Sequence, residues 1–225
     1  MHITPDATNT QIVLLGNFDP PAFRPEVLFE KKLIGDSQLK AAQIRIAHEA
    51  LVDANIDWFR LLVTQERFIL TATEAPWIRL HDFCARMFVE TYPEAKIKMM
   101  GINRSVWFET GGIKQRDRLG SSLAPRSAWG EWGQRLDSSR PDGVSGLSSL
   151  TMRQEHGLED RKKGYIEVRI APADTSKVLM TVNDHYEAVD EEKATQEIMN
   201  FLRNNFEHSI ARSDWIVDCI MQQVK

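Results

Sequence analysis

The sequence predicts an α+β protein built from two packed halves, each a largely antiparallel sheet with helices. In the N-terminal half, residues 1–112, two β-rich runs surround a polar turn and are followed by apolar residues at helical spacing. The C-terminal half, residues 147–225, has the pattern of a three-stranded meander followed by two helices. Between them lies a connector, residues 113–146, rich in Gly, Ser, Arg and Trp, with one short helix.

The N-terminal half begins with a mostly buried strand at 11–18, QIVLLGNF. The runs 56–64 and 67–73 flank the polar turn QER, and this arrangement is typical of a β-hairpin. A helix starts at Pro76, since proline fits the first helical position. The segment AKIKMMGINRSVWFET then returns as a long strand, in which Gly101 predicts a bulge or a bend.

Residues 39–52 fit two interpretations. Four of their apolar residues recur at helical spacing, whereas the alternation in QIRIAH indicates a strand over 41–48. We favour the strand because Ile44 and Ile46 flank the charged Arg45.

The C-terminal half contains three strand patterns, at 147–155, 164–171 and 177–186. The middle strand alternates apolar and charged residues, so one face should pack while the other meets solvent or a partner. Asp190 and Ser213 are suitable N-caps, and each precedes a run with an apolar helical stripe. The sequence therefore predicts two separate C-terminal helices.

Composition excludes several classes of protein. The chain has 225 residues, with 42% hydrophobic residues, 27% charged residues and a net charge of −4, which is ordinary for a globular protein. Cys84 and Cys219 lie far apart, so neither a disulfide scaffold nor a zinc ribbon is expected. The polar start does not resemble a signal peptide, and no apolar run approaches the ~18 residues that a membrane helix needs. We expect a cytoplasmic protein.

The stretch GNFDPP at 16–21 resembles the opening of the nucleotidyltransferase motif GGxFDPxHxGH. The histidines of that motif would fall at Ala22 and Pro25, and neither side chain can donate a hydrogen bond to a transferring phosphoryl group. Pro20 and Pro21 also remove backbone N–H groups that a phosphate site requires. The stretch therefore predicts a rigid turn, and no cofactor or metal is expected.

Two polar groups interrupt apolar strands and form a candidate site. Asn183, Asp184 and His185 end one strand. Asp184 and His185 could bind a metal or act as a general base. Alternatively, these polar side chains form hydrogen bonds with the local backbone in a turn at the strand end. Asn103 and Arg104 lie within the long strand of the first half. Because buried polar groups need hydrogen bonds, this pair either satisfies the local backbone or reaches a ligand.

The connector contains a candidate interface of arginines and tryptophans. These residue types dominate protein-interface hot spots and also suit stacking with nucleic-acid bases. Acidic residues are interspersed, so a solvated loop of mixed charge is a further interpretation. The candidate residues are Arg116, Arg118, Arg126, Trp129, Trp132 and Arg135.

Five motifs in order resemble a sporadically distributed family of bacterial proteins of about this length. They are GNFDPPAFRPEVLFEKKLI, FRLLVTQERFIL, WIRLHDFCARMF, GINRSVWF and VNDHY, and together they span nearly the whole chain. The resemblance implies a bacterial cytoplasmic protein. It carries over no catalytic residues, because that family has no assigned activity.

No complete catalytic set or metal-ligand spacing is present in the sequence. We therefore predict a non-enzymatic protein-interaction or scaffolding component that docks to another protein or to itself. One alternative is an enzyme with a site near Asp184 and His185. The other is nucleic-acid binding through the 114–140 segment.

Overall fold

The structure, a computed structural model, describes residues 4–136 and 146–222. Its centre is a single antiparallel sheet of nine strands. The strands are β1 (Ala7–Asn17), β2 (Gln43–Ala47), β3 (Leu51–Ile56), β4 (Phe59–Thr64), β5 (Arg67–Ala72), β6 (Lys96–Glu109), β7 (Leu150–Gln154), β8 (Gly164–Pro172) and β9 (Lys177–Glu187). Their order across the sheet is β2-β3-β4-β5-β1-β6-β9-β8-β7.

Six α-helices accompany the sheet within the described residues, and the predicted α+β class is confirmed. They are α1 (Pro25–Glu30), α2 (Asp36–Ala41), α3 (Ile78–Ala85), α4 (Ile113–Leu123), α5 (Gly130–Gln134) and α6 (Ala194–Met221). A π-helical turn, Arg86–Thr91, extends α3, and 3-10 turns lie at Pro20–Phe23 and Arg126–Trp129. None of these helices is long and apolar enough to cross a membrane.

Two successive sets of elements, β1 to α3 and β6 to α6, share one order of connections. In each set, a first strand leads through helices to further strands, the last of which pairs with the first and is followed by a helix. The two first strands, β1 and β6, are antiparallel neighbours at the centre, so the sheet is continuous from one set to the other. This division differs from the predicted halves, because β6 lies within residues 1–112.

Five helices, α1, α2, α3, α4 and α6, contribute residues to the apolar clusters on one face of the sheet. In β6, Met100, Ile102 and Val106 are buried in two apolar clusters that also contain residues of α6. Asn103 and Ser105 alternate with them and are partly exposed. The strands β1 and β9 show the same alternation of buried and partly exposed positions. One face thus builds the core, and we call the opposite one the helix-free face.

The stretch GNFDPP serves the core. Phe18 and Phe23, on either side of its prolines, pack around Phe68 at ring-centroid distances of 6.1 and 5.5 Å. The Tyr92 hydroxyl donates a hydrogen bond of 2.6 Å to the carbonyl of Ala22, in the 3-10 turn. The stiff turn therefore seats two aromatic rings.

Several sequence predictions for the first half are confirmed. Residues 43–47 form a strand, as favoured above, and α2 ends just before it at Ala41. The QER hairpin is β4 and β5, but the predicted run 56–64 is interrupted. Asp57, with φ of 52°, turns the chain between β3 and β4, so the strand itself begins at Phe59.

The prediction of two C-terminal helices was wrong. A single helix, α6, runs through Ser213, whose hydroxyl donates 2.8 Å to the carbonyl of Ser209 one turn earlier. No proline or glycine lies within α6 to end it. Asp190 accepts a hydrogen bond from the backbone of Glu192, but the helix begins later, at Ala194.

The predicted bulge at Gly101 was also wrong. The irregularity between β1 and β6 lies nearer one end, where Leu15 pairs with Met99 but Gly16 pairs with Ile97. Gly101 pairs regularly with both neighbouring strands. This glycine instead leaves room for the side chains of Asn103 and Asn183 on the helix-free face.

Candidate functional site

A row of polar residues crosses the helix-free face from edge to edge. Each strand contributes one member, and each member lies directly opposite the next in the strand register. No member is apolar and only Thr71 is β-branched, although partly buried sheet positions usually favour β-branched and aromatic residues. We call it the polar row: Gln43, Asn55, Arg60, Thr71, Gln11, Asn103, Asn183, Glu167 and Arg153.

At its centre the row contains two amide oxygens without partners. The Oδ1 atoms of Asn103 and Asn183 are buried and make no hydrogen bond within the described part of the chain. A Cβ on Gly101 would lie 2.8 Å from the Asn183 oxygen and 3.5 Å from the Asn103 oxygen. A Cβ at this position would therefore displace the Asn183 amide, because the two amides lean over the Gly101 backbone. We call Gly101, Asn103 and Asn183 the Asn notch.

The Asn notch has a chemical preference. A buried oxygen that accepts no hydrogen bond costs about 1–3 kcal/mol, so such atoms usually have a partner. Two of them side by side favour a group that donates hydrogen bonds, such as an amide, a hydroxyl or a cationic side chain.

His185 lies beside the Asn notch, directly opposite Gly101. Its ring stacks on Tyr165 at 4.5 Å between centroids, and its Nε2 is 3.2 Å from Glu187 Oε1. Burial lowers the pKa of the imidazole, and although Glu187 acts in the opposite direction, the net direction is downward. His185 is therefore a neutral group near neutral pH.

Asp184 belongs to a different environment. It lies on the helical face, where Arg161 Nη1 donates 2.5 Å to its Oδ1 and the Tyr186 hydroxyl donates 3.4 Å to its Oδ2. Arg161 also binds Asp160 through Nε at 2.8 Å, and Arg212 Nη2 of α6 donates 2.5 Å to the same carboxylate. We call these five residues the Arg161 cluster.

The electrostatics of the Arg161 cluster indicate a structural role. Burial alone would raise the pKa of Asp160, but hydrogen bonds and charges of Arg161 and Arg212 outweigh it and hold this pKa at about 2. The side chains of Arg161 and Asp184 are each 1% exposed. Since its contacts join α6 to the meander, the cluster fastens that helix to the sheet.

Arg104 likewise lies on the helical face. Its Nε donates 2.9 Å to Asp214 of α6, its Nη1 donates 3.3 Å to Thr10 Oγ1, and its guanidinium lies 4.7 Å from the Trp77 ring. The structure thus groups Asn103, Asn183 and His185 on one face and places Arg104 and Asp184 on the other. A general base built from Asp184 and His185 together would have to act through the sheet.

Among the described arginines of the connector, Arg116 is the most deeply buried. Arg116 is 3% exposed and donates to Asp117 Oδ1, at 2.9 Å through Nη2, and to the carbonyl of Asp174, also at 2.9 Å. It anchors α4 to the β8–β9 turn. Of the 114–140 segment, residues 137–140 lie outside the described residues.

The other candidate interface residues are accessible. Trp129 and Trp132 are 59% and 58% exposed, with ring centroids 5.7 Å apart. Arg118 and Arg135 are exposed, whereas Arg126 is partly buried. These side chains lie on the connector, outside the sheet that carries the Asn notch.

Comparison with protein-family models and with curated proteins yields no match. In the described ranges, no group of three or more His, Cys, Asp or Glu side chains could hold a metal ion. The sequence reasoning missed Gly101 as part of the site, although the pattern Gly-x-Asn in GINR placed it on the same strand face as Asn103.

Proposed function

We propose that the protein is a non-enzymatic protein-interaction component, and that its helix-free face docks another protein or a second copy. The observation that carries this proposal is the Asn notch. Its two buried, unpartnered oxygens stand at the centre of a polar row that no described helix covers. A docked protein that turns the two amides outward would supply the missing donors.

The charges along the row support a protein partner over nucleic acid. Arg153 pairs with Glu167 at 2.8 Å, and Arg60 pairs with Asp53 at 2.8 Å, so these cations are already compensated. Phosphate binding instead needs an uncompensated basic track. Amides, hydroxyls and paired charges are the groups that protein interfaces use, at about one hydrogen bond per 100–200 Å².

Replacing Asn183 with leucine should weaken partner binding roughly tenfold or more, because a donor of the partner would be buried without an acceptor. Gly101→Ala should act in the same direction, since its Cβ displaces the Asn183 side chain without a clash with backbone. The measurement is the Kd for a protein that co-purifies with the chain and is then purified itself. If the partner is a second copy, the measurement is the dimerisation constant from analytical ultracentrifugation.

The matched control is Asn204→Leu, the same exchange at an exposed position of α6. It should leave the Kd unchanged. All three variants should melt cooperatively near the wild-type temperature, so that a lost interaction is not lost folding. Equal affinities for wild type, Asn183→Leu and Gly101→Ala would contradict the proposal.

A further inference from the structure

A groove opens on the helix-free face next to the Asn notch. It has a volume of about 920 Å³ and an apolar floor formed by Leu15, Leu62, Ile69 and Met99. These floor residues come from β1, β4, β5 and β6, four strands that are adjacent in the sheet. All four side chains are partly exposed, and nothing in the described chain covers them.

Cations line one end of this groove. Arg67, Lys96 and Lys98 line it together with a single carboxylate, Glu66. They lie where β5 and β6 begin, with Arg67 opposite Leu15 and Lys96 opposite the end of β1. Within the described residues, none of the three cations forms an ion pair of 4.0 Å or less.

We propose that this groove binds an amphiphilic anion, an unbranched alkyl chain that ends in a carboxylate. The three uncompensated cations would take the carboxylate through charge-assisted hydrogen bonds. The chain would run inward over Leu62 and Ile69, where each buried methylene adds hydrophobic stabilisation. The groove volume falls in the ordinary range of small-molecule sites.

The proposal is independent of the protein-docking function. None of the groove-lining residues belongs to the polar row or to the Asn notch. The ligand is tested on the purified chain alone, so a failure here leaves the docking proposal standing, and the reverse also holds.

The experiment is isothermal titration calorimetry with sodium dodecanoate below its micelle concentration. We expect saturable binding of one molecule per chain, weaker binding of hexanoate and no binding of dodecyltrimethylammonium, which has the same alkyl chain with a cationic head. The variant Arg67→Glu/Lys96→Glu/Lys98→Glu should bind dodecanoate roughly tenfold more weakly or worse, because the carboxylate then meets like charges.

The matched control reverses three exposed cations elsewhere, Lys114→Glu/Lys162→Glu/Arg203→Glu, with the same change in net charge. It should bind dodecanoate as the wild type does. The proposal is overturned if dodecanoate does not saturate, if dodecyltrimethylammonium binds equally well, or if both triple variants bind alike. A fourth outcome would also overturn it. If ultracentrifugation shows that the wild type is a dimer and that Leu62→Gln is a monomer, the groove is occupied by a second copy of the chain.

Discussion

Replacing Arg161 with methionine should lower the free energy of unfolding by about 3–5 kcal/mol, because it leaves the buried Asp184 carboxylate without its closest counter-charge. Asp184 would keep only the hydrogen bond from Tyr186 and the charge of Arg212, 3.5 Å away. Asp160 would lose both of its bonds from Arg161. Urea unfolding followed by circular dichroism measures the difference.

The matched control is Arg153→Met, which removes an arginine from an exposed pair with Glu167. Exposed ion pairs contribute about 0–1 kcal/mol, so this variant should remain close to the wild type. Similar losses for Arg161→Met and Arg153→Met would contradict the structural role of the Arg161 cluster.

The same cluster determines how stability responds to acid. Because the folded-state pKa of Asp160 is lowered to about 2, its contribution is complete above the unfolded value of about 3.9. It is lost as the pH falls from there through 2. In Arg161→Met this part of the acid dependence should shrink, since the main cause of the lowered pKa is gone.

Replacing Phe68 with alanine should cost about 3–5 kcal/mol, the usual range for removing a fully buried aromatic ring. Phe68 is 0% exposed, and its ring lies 4.9 Å from that of Phe88 and close to those of Phe18 and Phe23. These rings come from separate elements and cannot collapse easily into the cavity. The same urea titration measures this loss.

Trp215→Ala provides the control for the loss of a large aromatic side chain. Trp215 is 65% exposed on α6, and exposed substitutions usually change stability by less than about 0.5 kcal/mol. If Phe68→Ala were as stable as Trp215→Ala, the aromatic cluster would not be the centre of the core.

Local patterns predicted most of the elements of this fold. The polar QER turn located β4 and β5, and the alternation around Arg45 located β2. The three runs of the meander correspond to β7, β8 and β9. Helix ends were harder, because Ser213 has the side chain of an N-cap but bonds back to Ser209 within a continuous helix.

The candidate site was predicted only in part. Asn103, Asn183 and His185 stood out as polar residues in apolar strands, and they do come together. Arg104 and Asp184 were grouped with them by sequence proximity, but consecutive residues in a strand point to opposite faces. Strand alternation, applied consistently, separates the two sets.

The polar row could not be predicted from the sequence. Its members are scattered from Gln11 to Asn183, and they align only once the strand order and register are known. Non-local strand pairing is not encoded in any short window of sequence. A shift of one residue in one strand would move its member to the other face.

The central claim is that a partner binds on the helix-free face. The most direct test places a photo-crosslinking amino acid at one position at a time. Ser105 and Thr181, which are paired neighbours beside the polar row, are the test positions. Asn204 and Glu207 on α6 are the control positions. Irradiation in cells of the source organism should give a discrete adduct from the two sheet positions only, and Gly101→Ala should abolish it. Adducts from the two helix positions alone would contradict the account.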